Sequence, residues 1–237
     1  MNTSRGTAAP SIEGIDAIAY TEAYFPTDSG WASSWSALLR TAKDPSASEG
    51  GWDALRSVCS RGVTDVRRRA NLISRIDVVV AVPSRMCRWR RRGMSLPDAF
   101  GRSLHDALRL RYEPDAVMAA VDNVEIKRIA VEHRRQAVMG TFAVATRKLT
   151  GKSVLLVDDI STSGATLAEC AQQLRSAGVS VVFAYTLGRT ADFARGSAGG
   201  RRDQPQVLKV AFVDPPRELG RWTRKVELPT RNVKRSD

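Results

Sequence analysis

Residues 154–166 read Val154-Leu155-Leu156-Val157-Asp158-Asp159-Ile160-Ser161-Thr162-Ser163-Gly164-Ala165-Thr166. Four consecutive aliphatics specify a buried strand, two carboxylates stand at its carboxyl end, and a loop of hydroxyls with one glycine leads into a helical pattern. Over residues 165–177 that pattern puts Leu167, Cys170, Ala171 and Leu174 on one face, and Gly178 stands where a glycine ends a helix. Residues 179–187 are again rich in β-formers, so strand, loop, helix and strand follow one another from 153 to 187. In open α/β sheets, ligands bind beyond the carboxyl ends of the strands. Successive N–H groups in such a loop, aided by the helix dipole, cradle an anion, and here the hydroxyls of Ser161, Thr162, Ser163 and Thr166 add to them. Only a glycine lets the backbone close tightly around phosphate, and Gly164 supplies it. Two carboxylates repel a phosphate unless they face another part of the same ligand. A sugar phosphate resolves the conflict, with its phosphate on residues 161–166 and its ribose hydroxyls, or a magnesium ion bridging to them, on Asp158 and Asp159.

Outward from this unit, residues 76–82, 116–121, 142–145 and 207–213 form further short β-rich runs among helical patterns, the signature of an α/β fold with a mostly parallel sheet flanked by helices. Upstream, residues 15–25 have strand character. Trp31, Trp35, Leu38 and Leu39 then recur at helical spacing, a loop covers 44–51, and Trp52, Leu55 and Cys59 open a second helix. The expected organisation is a disordered terminus over 1–14, an N-terminal helical hood over 15–75, a core over 76–213 and a basic tail over 214–237.

At 237 residues, with 43% hydrophobic and 26% charged residues, the chain has the composition of a globular protein, which excludes a fibrous or wholly disordered one. Against 37 Lys and Arg stand 25 Asp and Glu, a net charge of +12 that favours an anionic partner: nucleic acid, a phosphorylated metabolite or an anionic surface. Three cysteines without a C-x-x-C pair argue against a disulfide framework and a zinc ribbon. Without a secretory or membrane-length apolar run, the expected location is cytoplasmic, with no membrane partner. Gly151-Lys152-Ser153 is not the end of a nucleotide P-loop, because Thr146 replaces the leading glycine and the segment precedes a strand.

The two acids and the Thr162-Ser163-Gly164-Ala165-Thr166 loop after an aliphatic strand resemble the phosphoribosyl-pyrophosphate (PRPP) motif of type I phosphoribosyltransferases. Two further segments are similar to the ComF-like subfamily. The first is Val80-Ala81-Val82-Pro83-Ser84-Arg85, followed by the cluster of Arg88, Trp89, Arg90, Arg91 and Arg92 and then Gly93-Met94-Ser95-Leu96, where Ser95-Leu96 replaces the family's Asn-Gln. The second is residues 127–142, aligning on Arg135, Val138, Gly140 and Phe142, with Lys127 and Ala137 where the family has Gln and Asn. The resemblance spans about residues 76–190 and lacks the zinc ribbon usual in ComF proteins.

That resemblance implies a type I phosphoribosyltransferase fold with an N-terminal hood, and transfer of a 5-phosphoribosyl group from PRPP to an acceptor base with release of pyrophosphate. It assigns ribose and Mg2+ to Asp158 and Asp159 as the catalytic acids, and the 5′-phosphate to Ser161, Thr162, Ser163, Gly164, Ala165 and Thr166. It assigns pyrophosphate to Ser84, Arg85, Arg134 and Arg135. His133 reads as an exposed polar residue on a basic helix and His105 as structural. A homodimer is left open. The alternative is a non-catalytic ComF-like protein that binds PRPP or single-stranded DNA, since a basic cluster with an interleaved tryptophan also suits a single strand.

Overall fold

A computed structural model of the chain describes residues 12–29, 33–84, 94–120 and 133–191. Its elements are, in order, β1 (Ala17–Tyr24), α1 (Ser34–Ala42), α2 (Gly51–Arg67), the short α3 (Ala70–Ile73), β2 (Val78–Ala81), α4 (Leu96–Leu108), β3 (Val117–Ala119), α5 (Arg134–Val138), β4 (Phe142–Val144), β5 (Ser153–Ser161), α6 (Ala165–Ser176) and β6 (Val181–Thr190). Strands β1, β6, β5 and β2 lie in that order in one sheet, and every neighbouring pair is parallel. All four therefore end at the same edge, where loops carry chemistry in this class of fold.

The alternation of side chains along β5 explains its unbroken aliphatic run. Leu155 and Val157 face one core with Phe183, Tyr185 and Leu187 of β6, covered by α1, α2 and α4. Val154 and Leu156 face a second core with Val182 and Ala184, covered by α6 and the β3–β4 ribbon. A strand buried on both faces needs apolar residues at every position, and each such side chain contributes about 1.5–3 kcal/mol by leaving water. Within the first core the Tyr185 hydroxyl donates to Asp65 Oδ2 at 2.6 Å, and Arg69 pairs with the same oxygen at 2.9 Å, which ties α2 to β6. Helix α6 ends in a Schellman turn: Val179 N–H reaches Leu174 O, Gly178 N–H reaches Arg175 O, and Gly178 has φ +88°. The sequence reading of the β5–α6–β6 unit holds.

Three departures follow from tertiary packing. Residues 116–121 and 142–145 form β3 and β4, each three residues long, and they pair antiparallel as a separate ribbon instead of joining the parallel sheet. Residues 15–75, expected as a hood, supply the edge strand β1 and one covering layer of the main core: Trp35, Leu39 and Ala42 of α1 and Val58 and Val66 of α2 are buried there. Residues 12–14, expected within a disordered terminus, form a turn along α6. Arg175 donates to Gly14 O at 3.3 Å and to Asp16, and Ile12 packs into the second core. Residues 1–11, the expected strand over 207–213 and the basic tail lie outside the described residues.

Candidate functional site

The period-two geometry of a strand decides what the acid pair does. Asp158 continues the register of Val154 and Leu156 and turns to the α6 face, close enough to Cys170 for its charge to raise that thiol's pKa further, after burial. Asp159 continues the register of Leu155 and Val157 and turns to the α1 face, where Lys43 Nζ lies 2.8 Å from its Oδ2. The carboxylates thus flank the end of β5 from opposite sides. Each also accepts from the backbone ahead of it: Asp159 N–H donates to Asp158 Oδ1 at 2.7 Å, and Ile160 N–H to Asp159 Oδ1 at 2.5 Å. Burial and the neighbouring Asp159 charge raise the Asp158 carboxyl from the ordinary carboxylate range to about 8, against the lowering effects of that N–H and of Lys43.

Beyond the acids the chain turns sharply into α6. Gly164 caps the helix with φ +76°, and a Cβ there would meet Ile12 Cδ1 at 2.5 Å. Ile12 belongs to the turn that Arg175 and Asp16 hold against α6, so the left-handed backbone favours glycine and a Cβ there would also push the end of the Ile12 side chain aside. Ser163 Oγ accepts from Ala165 N–H at 3.4 Å, and Ala168 N–H to Gly164 O is the first bond of the helical ladder. The N–H groups of Thr166 and Leu167 thus have no partner within the helical ladder.

The expected cradle residues divide into two groups. Thr162 and Ser163 are exposed, and Thr166 is partly exposed at the start of α6. Ser161 is the last residue of β5 and only 3% exposed, with its Oγ accepting from Arg189 Nη1 at 3.0 Å. Thr162 Oγ1 lies 2.8 Å from Thr190 Oγ1. Both hydroxyls fasten the loop to the end of β6, a role invisible in the sequence because the β-rich run there seemed to stop at Leu187.

Strand β2 ends beside β5: Ala81 pairs with Val157 and Val82 N–H donates to Val157 O at 2.9 Å, which brings Pro83 and Ser84 out at the same edge as Asp158. Arg85, the cluster of Arg88 to Arg92 with Trp89, and Lys127 lie outside the described residues. Arg134 and Arg135 open α5, which packs on α6, and the turn after α5 is fixed where Glu169 of α6 accepts from Gly140 N–H at 2.8 Å. His133 is exposed at the start of α5. His105 Nδ1 donates to Leu110 O at 2.8 Å, the structural role expected of it. Lys43, Arg189 and Ile12 are site neighbours that sequence reasoning missed. Among the described residues, no group of three or more His, Cys, Asp or Glu side chains could hold a metal by itself, and no helix is long and apolar enough to cross a membrane.

Residues 99–205, which include the acid pair and the glycine turn, match the family model described as phosphoribosyl transferase domain. The chain is 28% identical over 123 residues to the DNA utilization protein YhgH of Escherichia coli O6:H1, a match covering 52% of this chain and 54% of that one. The protein of the same name from Escherichia coli O157:H7 is 27% identical over the same length, so the chain spans about half the length of the curated relatives it matches. Among solved structures it is similar to a purine phosphoribosyltransferase from Pyrococcus horikoshii Ot3, with 16% identity, a TM-score of 0.36, and coverage of 56% of this chain and 82% of that one. It is also similar to the glutamine PRPP amidotransferase from B. subtilis, with 23% identity, a TM-score of 0.32, and coverage of 46% and 22%. Residues 99–205 thus match a phosphoribosyl transferase domain model, on an α/β fold with a mostly parallel sheet, and the chain is similar to YhgH over about half its length.

Proposed function

We propose that the protein binds PRPP at the β5–α6 edge and transfers its 5-phosphoribosyl group to an acceptor, most simply a nucleobase, with release of pyrophosphate. The observation that carries this reading is the arrangement at the end of β5: two carboxylates flank the strand, and a glycine-capped helix start follows directly in the chain. A ligand with vicinal hydroxyls and a phosphate satisfies both halves.

The 5′-phosphate is assigned to the N–H groups of residues 162–166 with the hydroxyls of Ser163 and Thr166 and that of Thr162, which also meets Thr190; Ser161 supports the loop from behind. Asp158 and Asp159 are assigned to the ribose hydroxyls. Ser84, at the neighbouring strand end, and Arg85, Arg134 and Arg135 are assigned to pyrophosphate, as charge partners for the leaving group. When the C1′–O bond breaks, positive charge develops on the ribose ring, and the electron pair leaves with pyrophosphate. The protein's part is to hold the sugar between the acids while cationic groups receive the leaving anion.

The donor set fits magnesium in the way that ion is usually held, by one or two carboxylates together with substrate phosphates and water. Asp158 and Asp159 are the residues that would hold it. Bound there, the ion would neutralise pyrophosphate charge and orient the ribose oxygens.

A second reading has support of its own. The named relative is a DNA utilization protein, and the net charge of +12 suits a polyanion. Under this reading the site would bind PRPP or a nucleotide as a signal, and the basic segments would bind single-stranded DNA.

Incubation of the full chain with PRPP, Mg2+ and a panel of purine and pyrimidine bases separates the two. Base-dependent pyrophosphate release is expected from the transferase. PRPP binding without release for any base, combined with tight single-strand binding, would contradict it.

A further inference from the structure

The acid pair has a resident cation that comes from another part of the fold. Lys43 Nζ contacts Asp159 Oδ2 at 2.8 Å, and the two side chains are only 23% and 25% exposed. Lys43 caps the carboxyl end of α1, where the helix dipole also favours a positive charge. Its position is fixed by the anchoring of α1. Trp35 Nε1 donates to Leu187 O at 3.0 Å, and Leu39 and Ala42 are fully buried. Gly188 has no side chain to hold Leu39 and Ile160 apart, since a Cβ there would lie 3.0 Å from Leu39 Cδ1 and 3.2 Å from Ile160 Cγ1. The last turn of α1 therefore lies over the ends of β5 and β6. A lysine at that point reaches Asp159 without a long, flexible detour.

We propose that Lys43 is a built-in counter-cation of the sugar-phosphate site, a positioning residue that supplies on Asp159 part of the charge neutralisation otherwise left to a divalent ion. The proposal rests on the reading of this site as a PRPP site. An ammonium carries three donors. One holds the Asp159 carboxylate toward α1, and the others can meet an incoming anion, so a polyanionic ligand does not approach an uncompensated Asp159 carboxylate. The consequence is specific: part of the protein's affinity for PRPP is independent of metal, and that part resides in Lys43. In the presence of magnesium the same lysine competes for Asp159 and is dispensable.

Calorimetric titration of the full chain with PRPP, once in EDTA and once with excess Mg2+, tests this in the wild type, Lys43→Gln and Lys43→Arg, each checked for an unchanged melting transition. In EDTA the wild type and Lys43→Arg should bind, and Lys43→Gln should be weaker by about tenfold or more. With Mg2+ the three affinities should converge within about threefold, and Lys43→Gln should need less Mg2+ for half-maximal binding. The proposal is overturned if Lys43→Gln loses the same factor in both conditions, if it loses nothing in either, or if the wild type binds only with Mg2+. Failure of the wild type to bind PRPP with Mg2+ is a different result, which removes the underlying reading of the site and the proposal with it.

Discussion

Replacing both acids, Asp158→Asn with Asp159→Asn, is expected to weaken Mg2+-dependent PRPP binding by about a hundredfold or more, because each charged hydrogen bond contributes about 1.5–3 kcal/mol and tenfold in affinity is about 1.4 kcal/mol. The asparagines keep the shape of the strand end and remove its charge, so the loss would come from recognition and not from packing. The free protein should respond in the opposite direction. The Asp158 carboxyl is raised to about 8, first by burial and then by the charge of Asp159. Between the ordinary aspartate value of about 4 and that raised value, the folded chain holds a proton that the unfolded chain has given up, so stability falls as pH rises through the window. Asp158→Asn removes the titrating group. Its melting temperature should exceed that of the wild type at pH 9 and match it more closely at pH 5, a flatter profile than the wild type shows. Retained PRPP affinity in the folded double variant would sink the acid-pair assignment.

The second large effect is expected at Gly164. A β-branched residue at φ +76° is strained by about 1–3 kcal/mol, and its Cβ must also displace Ile12, whose Cδ1 would lie 2.5 Å away. Gly164→Val should therefore lower the melting temperature and weaken ribose 5-phosphate binding by about tenfold or more, since the turn that aims the N–H groups no longer forms unstrained. The two causes separate in a pair of milder variants. Gly164→Ala keeps both the backbone strain and the clash. Adding Ile12→Ala relieves only the clash, so the double variant should regain some of the stability that Gly164→Ala loses relative to Ile12→Ala alone. Unchanged ribose 5-phosphate affinity in folded Gly164→Val would place the anion cradle elsewhere.

The β5–α6–β6 unit was legible because each of its local signals has one cause. The aliphatic run of Val154 to Val157 is required by burial on both faces, and Gly178 by the Schellman turn. The contacts around the site were not legible, since they depend on where distant segments come to rest. Nothing near Lys43 in the sequence points to Asp159. That pair exists because Trp35 and Leu39 seat α1 over the sheet edge. The contact of Ser161 was hidden for the same reason: its Oγ accepts from Arg189, which reaches it because β6 runs three residues beyond Leu187, to Thr190. Period-two alternation was available from the outset and does separate Asp158 from Asp159, but which face each meets needed the packed helices.

A sugar phosphate in this site has one expected position. A crystal structure of the full chain with ribose 5-phosphate and Mg2+ should show the phosphate within hydrogen-bond distance of the N–H groups of residues 162–166 and the ribose hydroxyls on Asp158 and Asp159. Phosphate bound away from the start of α6, or ribose hydroxyls that reach neither acid, would contradict it.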